Sequence, residues 1–271
     1  MNFPFIPNVL TIAGSDSGGG AGIQADIKAI SATGSFACSV ITATTAQNTL
    51  GVIDIHPIPT SHIAAQLDAI FSDITIHAVK IGMLADSQII DVVADKLEQY
   101  QPRQLVLDPV MVATSGDTLL KNSAIEHLKR RLIPLATLIT PNLPEAYALV
   151  GQNYSATTHN LDTLVGKLSS LHARATLLKG GHSHSSQRSD DYLVRGNEVI
   201  TYPGSRVDTQ NTHGTGCTLS SAIASFLAQE MPLTDAVQQA KTYITQALTH
   251  SQQLDVGKGH GPVDHFYMLH Q

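Results

Sequence analysis

The feature that most constrains this chain is a repeated pair: a short apolar run closed by glycine or a polar residue, then apolar residues at helical spacing. Val9, Leu10, Ile12 and Ala13 lead through Gly14, Ser15, Asp16, Ser17 and Gly18, Gly19, Gly20 into Ile23, Ile27 and Ile30. Residues 78–82 precede Ile89, Ile90, Val93 and Leu97, and residues 105–107 stop at Asp108 and Pro109. Residues 138–140 lead to Asn142, Pro144 and Glu145; residues 176–178 follow a stripe of Leu161, Leu164, Leu168 and Leu171 and run into Lys179, Gly180 and Gly181. Strands apolar on both faces, each followed by a helix, predict a mostly parallel sheet covered by helices on two sides. Residues 192–194 and 199–202, joined by Arg195, Gly196 and Asn197, read as a hairpin, and such an antiparallel edge suits an open sheet better than a closed barrel. Two more apolar stretches, 36–46 ending in Gln47 and Asn48 and 52–58, come before a helix carrying Ile63, Leu67, Ile70 and Phe71.

No linker, repeat or low-complexity tract divides the 271 residues, so one domain spanning 1–271 is expected. Charged residues make up 14% and the net charge is −6, which speaks against a polybasic nucleic-acid face and for a small-molecule partner. Charges interrupt every apolar run long enough to span a membrane. Two cysteines, Cys38 and Cys217, make no disulfide framework, and the first residues lack a secretory pattern, so a cytoplasmic protein is expected.

The chemistry concentrates at residues 211–218, Asn-Thr-His-Gly-Thr-Gly-Cys-Thr, before an apolar helical stripe. Gly214 and Gly216 let backbone approach a ligand, and the helix behind them aims N–H groups and its positive end at the same point, as an anion hole does. A loop merely capped by Thr212 or Thr215 is the plainer alternative. Cys217, in the first turn, is expected to be drawn toward thiolate by the helix terminus. In an open α/β sheet a ligand lies beyond the carboxyl ends of the strands. Asp16, Asp26, Gln47, Asp108, Asn142, Glu145 and Lys179 all fall there. Asp108 and Glu145 are candidates for Mg²⁺, although Asn142 with Glu145 also makes a complete capping box. Gln47 can present donor and acceptor together to a heterocycle edge. His182 and His184 lack a clear third ligand and read as surface histidines. A dinucleotide fingerprint fails because residues 36–53 hold no Asp or Glu, and no GxxxxGK[ST] loop occurs.

Taken together, the segments 13–28 (AGSDSGGGAGIQADIK), 40–52 (VITATTAQNTLGV), 80–84 (KIGML), 107–111 (LDPVM), 115–117 (SGD), 138–146 (LITPNLPEA), 177–182 (LLKGGH) and 211–224 (NTHGTGCTLSSAIA) resemble the hydroxymethylpyrimidine/phosphomethylpyrimidine kinase family of thiamine biosynthesis, within the ribokinase-like superfamily. The resemblance implies an α/β three-layer sandwich, a mostly parallel central sheet with a small antiparallel edge, ATP with Mg²⁺, and two successive phosphoryl transfers onto a pyrimidine's hydroxymethyl arm. It also implies a homodimer. Carried over residue by residue, it puts Cys217 at the base position, with Gly214, Gly216 and Lys179 around the transferring phosphoryl. Gln47, Asp26, Gly14, Met83 and Val110 surround the pyrimidine; Lys179, Asn142, Thr212 and Gly214 meet ATP; Asp108 and Glu145 meet the metal. Pyridoxal or pyridoxine phosphorylation, and a non-catalytic pyrimidine-binding module on the same fold, are the alternatives.

Overall fold

The computed structural model describes residues 5–112, 122–154, 161–182 and 187–269. The strands are β1 (Asn8–Asp16), β2 (Phe36–Asn48), β3 (Gly51–Pro57), β4 (Ala78–Ile81), β5 (Leu105–Leu107), β6 (Leu138–Ile139), β7 (Thr176–Leu178), β8 (Asp191–Arg195) and β9 (Glu198–Tyr202). The helices are α1 (Gly22–Ala32), α2 (Thr60–Asp73), α3 (Ser87–Tyr100), α4 (Asn122–His127), α5 (Leu143–Leu149), α6 (Leu161–Leu168), α7 (Thr215–Ala228) and α8 (Leu233–His250).

Among the described residues the strands form one sheet in the order β3-β2-β1-β4-β5-β6-β7-β8-β9. From β2 to β7 every neighbouring pair is parallel, as the unbroken apolar runs demand. The hairpin of β8 and β9 forms one antiparallel edge, as expected. A second antiparallel edge exists where β3 folds back on β2. The apolar run 52–58 does not by itself state its partner's direction; the Thr49–Leu50 turn makes it a flap that hangs from the end of β2.

Consecutive strand residues fall into opposite cores, the period-two consequence of a pleated strand. Val9, Ala78, Val106, Leu138 and Leu177 pack with α1, α7 and α8. Their neighbours Leu10, Val79, Leu107, Ile139 and Leu178 pack with α2, α3, α5 and α6. This is the expected three-layer sandwich with an open sheet. Two local expectations need correction. Ile27 does not join the buried stripe of α1 and is 36% exposed; the face turned inward carries Ile23, Ala25, Asp26, Ala29 and Ile30. The alternation also puts Thr11 and Lys80 on the α1 and α7 side of the sheet, where an apolar residue would be the default. Both are fully buried there.

Candidate active site

Two glycine-rich turns meet above the carboxyl ends of β1 and β4. The first, residues 17–21, is tied together by Asp16, whose carboxylate accepts from the backbone N–H groups of Gly18, Gly20 and Ala21 at 2.7, 3.0 and 2.8 Å. The second opens α7, where Gly214 is the N-cap residue with φ +80° and no capping side chain among the described residues. A Cβ on Gly214 would land on the Gly20 carbonyl oxygen, so glycine here serves both the left-handed turn and the contact between the loops. The plainer alternative of a threonine cap is not realised: Thr215 donates both its N–H (3.2 Å) and its hydroxyl (2.7 Å) to the Thr212 carbonyl. The Thr215 N–H is thereby taken up within the turn, and the N–H groups of Gly216 and Cys217 follow at the start of the helix with its dipole behind them.

His213 joins the turns. Its Nε2 lies 2.8 Å from Asp16 Oδ2 and 3.5 Å from Gln47 Nε2, and its backbone N–H donates to Gly261 O at 3.0 Å. Burial alone would raise the Asp16 carboxyl, but His213 and the N–H groups of Ala21 and Gly18 hold it below the usual carboxylate range. The C-terminal segment then spans from this loop to the flap, because Thr49 accepts from the N–H groups of Lys258, Gly259 and His260. Sequence reasoning had no signal for that strap beyond its glycines.

On the other side of the α7 start, Lys179 Nζ donates to Asp108 Oδ1 at 2.9 Å and lies 3.9 Å from Glu145 Oε2. A Cβ on Gly216 would sit 3.2 Å from Lys179 Nζ and 3.4 Å from Asp108 Oδ2, which puts this ammonium directly beside the helix terminus. Thr140 and Ser220 donate to the two Asp108 oxygens at 3.1 and 3.3 Å. Asn142 and Glu145 form the complete capping box of α5, so Glu145 works for the helix and for the site at once. Burial is the main cause that pushes the Glu145 carboxyl up to about 7; Lys179 opposes it and Asp108 adds to it. Lys179 is pulled down by burial but ends well above an ordinary lysine because Asp108 and Glu145 face it. Its charge is thus permanent.

Beneath the same terminus lies a pair that sequence reasoning missed in half. Lys80 donates to both oxygens of Asp26 at 2.7 and 2.8 Å, and Thr11 and Ser221 donate to the same carboxylate. Asp26 is implied as a pyrimidine contact by the family resemblance. It is fully buried with both oxygens engaged, which leaves it the role of a support. The missed signal was a lysine inside the apolar strand Ala78–Ile81.

Cys217 is one turn before Ser221 on α7 and keeps a partly exposed face. The expected drift toward thiolate is reversed. Burial raises its thiol to about 11; Lys80 and the Gly22 N–H pull it down, while Asp26 and Asp108 add to the rise. Desolvation outweighs what the helix terminus offers, and the negative charges of Asp26 and Asp108 work in the same direction. Met83 is nearly buried and packs on Gly14, where a Cβ would come within 2.8 Å of the methionine methyl. Val110 is half-buried at the end of β5, its N–H turned back to Asp108 O at 2.8 Å. The motif at 115–117, His184 and most of the 183–189 loop lie outside the described residues.

The structure therefore brings together a helix start without a side-chain cap, a lysine ammonium held by carboxylates and a carboxamide near the end of β2. The comparisons agree. A family model for phosphomethylpyrimidine kinase matches residues 16–264. The chain is 48% identical over 260 residues to the hydroxymethylpyrimidine/phosphomethylpyrimidine kinase of Salmonella typhimurium, covering 96% of this chain and 97% of that one. It is 50% identical over 258 residues to the thiamine biosynthesis bifunctional protein ThiED of Geobacter sulfurreducens, and spans about half (52%) of that longer relative. Among solved structures it is similar to an ADP complex of Bacillus subtilis pyridoxal kinase (TM-score 0.89, 33% identity, 98% of this chain and 100% of that one). It is also similar to phosphomethylpyrimidine kinase from Clostridium difficile 630 (TM-score 0.78, 44% identity, 89% and 99%). With the family model matched over 16–264 and 48% identity over nearly the whole chain, the chain belongs to the phosphomethylpyrimidine kinase family, a group of ribokinase-like phosphotransferases.

Proposed function

We propose that the chain, acting as one kinase domain, uses ATP to phosphorylate 4-amino-5-hydroxymethyl-2-methylpyrimidine to its monophosphate and then to its diphosphate. The observation that carries this reading is the placement of Lys179 beside the uncapped start of α7, with Gln47 linked to the same loop through His213. The pyrimidine rests against Gln47, with Gly14, Met83 and Val110 around the ring. The backbone N–H groups of Gly214, Gly216 and Cys217 and the Lys179 ammonium hold the γ-phosphoryl as it moves, and Asn142 and Thr212 meet the nucleotide phosphates. The hydroxyl oxygen attacks the γ-phosphorus, the bond to the β-phosphate oxygen breaks, and ADP leaves. Because the Cys217 thiol stays protonated near neutral pH, it orients the hydroxyl, and the proton leaves with the phosphoryl oxygens. A loose transition state asks little of a base.

Asp108 and Glu145 fit Mg²⁺ that is held mostly by nucleotide phosphates and water. Among the described residues no group of three His, Cys, Asp or Glu forms a protein cage. Burial and the neighbouring Asp108 carboxylate raise Glu145, and a divalent cation between them would relieve both. When bound, Mg²⁺ would neutralise charge on the phosphates. We further propose a cytoplasmic homodimer that meets at the β3 edge, where Leu50 and Ile53 are 66% and 77% exposed.

Pyridoxal phosphorylation is the second reading, favoured by the likeness to pyridoxal kinases at 33% identity. A non-catalytic module has no use for Lys179 beside an anion hole. The test is ATP consumption that depends on pyrimidine and Mg²⁺, with kcat/KM compared for hydroxymethylpyrimidine and pyridoxal and with turnover of the monophosphate measured. Turnover of pyridoxal alone would replace the main reading with the second.

A further inference from the structure

Gln47 has two ends, and its neighbours decide which is which. Thr45 Oγ1 lies 3.0 Å from the Ser15 carbonyl oxygen and 3.2 Å from Gln47 Oε1. A hydroxyl has one proton and cannot donate to both. At the other end Gln47 Nε2 is 3.5 Å from His213 Nε2, which is itself 2.8 Å from Asp16 Oδ2. A carboxylate accepts only, so this ring nitrogen carries its proton toward Asp16, and the amide nitrogen faces another donor. Turning the carboxamide over resolves both conflicts, since its oxygen and nitrogen occupy equivalent positions and are told apart by their partners. Thr45 then donates to Ser15 and accepts from the amide nitrogen, while the His213 N–H stays with Asp16 and its positive edge faces an oxygen instead of a second donor.

Resting on the functional reading above, we infer that Thr45 and His213 lock the order of donor and acceptor on Gln47 and so aim the substrate's reactive arm. The locked amide offers an N–H on the Thr45 side and an oxygen lone pair on the His213 side. On the aminopyrimidine, a ring nitrogen, the amine-bearing carbon and the carbon with the hydroxymethyl arm follow one another around the ring. Ring nitrogen against N–H and amine against oxygen carry the arm to the His213 side, next to Gly214 and the start of α7. The reverse order would carry it toward Thr45. Pyridoxal has no amine for the oxygen and gains less from the lock. Thr45 and His213 are thus positioning residues that act through Gln47.

Two measurements test this. In a crystal structure of the protein with hydroxymethylpyrimidine and a non-hydrolysable ATP analogue, the amine is expected on the His213 side of Gln47. An amine on the Thr45 side overturns the inference alone; a pyrimidine bound away from Gln47 overturns the functional reading and the inference with it. By calorimetry, Thr45→Val is expected to weaken pyrimidine binding roughly three- to tenfold, the range for one neutral hydrogen bond, with pyridoxal changed less than about twofold. Thr45→Ser should restore the pyrimidine affinity. Equal weakening of both ligands, or no change in either, overturns the lock.

Discussion

Lys80 and Asp26 form an ion pair sealed from solvent, with both carboxylate oxygens within 2.8 Å of one ammonium, beneath the first turns of α1 and α7. Breaking a buried pair by removing one partner leaves an uncompensated charge and costs about 3–5 kcal/mol. Lys80→Met is therefore expected to lower the free energy of unfolding in urea by that order, and Asp26→Asn combined with Lys80→Met to recover most of it. A double variant as unstable as the single one would mean that packing, not charge, holds this layer together.

Gly214 and Gly216 should separate fold from catalysis. Gly214→Ala puts a Cβ into the Gly20 carbonyl at a left-handed φ and is expected to cost stability and activity together. Gly216→Ala meets only the flexible end of Lys179 at 3.2 Å and the Asp108 carboxylate at 3.4 Å, so the melting temperature should hold while kcat falls. Melting curves beside steady-state rates distinguish the two.

Lys179→Met removes the fixed cation at the transferring phosphoryl. The expected loss in kcat is roughly 10²–10³, as for one preorganised stabilising group. A loss confined to KM would instead assign Lys179 to ground-state nucleotide binding.

Cys217 should behave as a thiol. With its pKa near 11, alkylation by iodoacetamide at pH 7.5 is expected to be far slower than for free cysteine and to accelerate toward pH 10. Labelling of Cys217 as fast as that of free cysteine would restore the thiolate. Cys217→Ala is expected to slow both transfers to a similar degree, because a protonated thiol only orients the nucleophile; a loss confined to the first transfer would restore Cys217 as a base.

Two buried groups give opposite pH slopes. Glu145, raised from 4.5 to about 7, binds its proton more tightly when folded, so its contribution to stability falls as pH rises through 4.5–7. His265, held neutral mainly by burial with its pKa near 4 and paired with Thr218 at 2.9 Å, contributes stability above 6.5 that is lost as pH falls toward 4. Glu145→Gln should therefore expose a steeper loss of melting temperature between pH 6.5 and 4 than wild type shows. Parallel curves for the two proteins would show that Glu145 titrates normally.

Much of this was legible along the chain because it is local. The capping box at Asn142 and Glu145, the β8–β9 hairpin and the helix behind Gly216 each depend on residues a few positions apart. The β2–β3 flap was missed as an antiparallel pair because an apolar run does not state its partner's direction. Lys80 was missed because strand periodicity sorts residues by face but does not reveal that a carboxylate waits there. Asp26 looked like a ligand contact for the same reason.

The sequence by itself determined the element types, the open sheet and the inventory of polar groups at the strand ends, since backbone periodicity and glycine chemistry act over short range. Only the tertiary structure decided which groups meet: Lys80 with Asp26 across 54 residues, Lys179 with Asp108 across 71, His213 with Asp16 across 197. It also decided their charge. A helix terminus favours a thiolate at Cys217 in the abstract, but desolvation and the carboxylates of Asp26 and Asp108 depend on burial and distance, and they carry the thiol the other way.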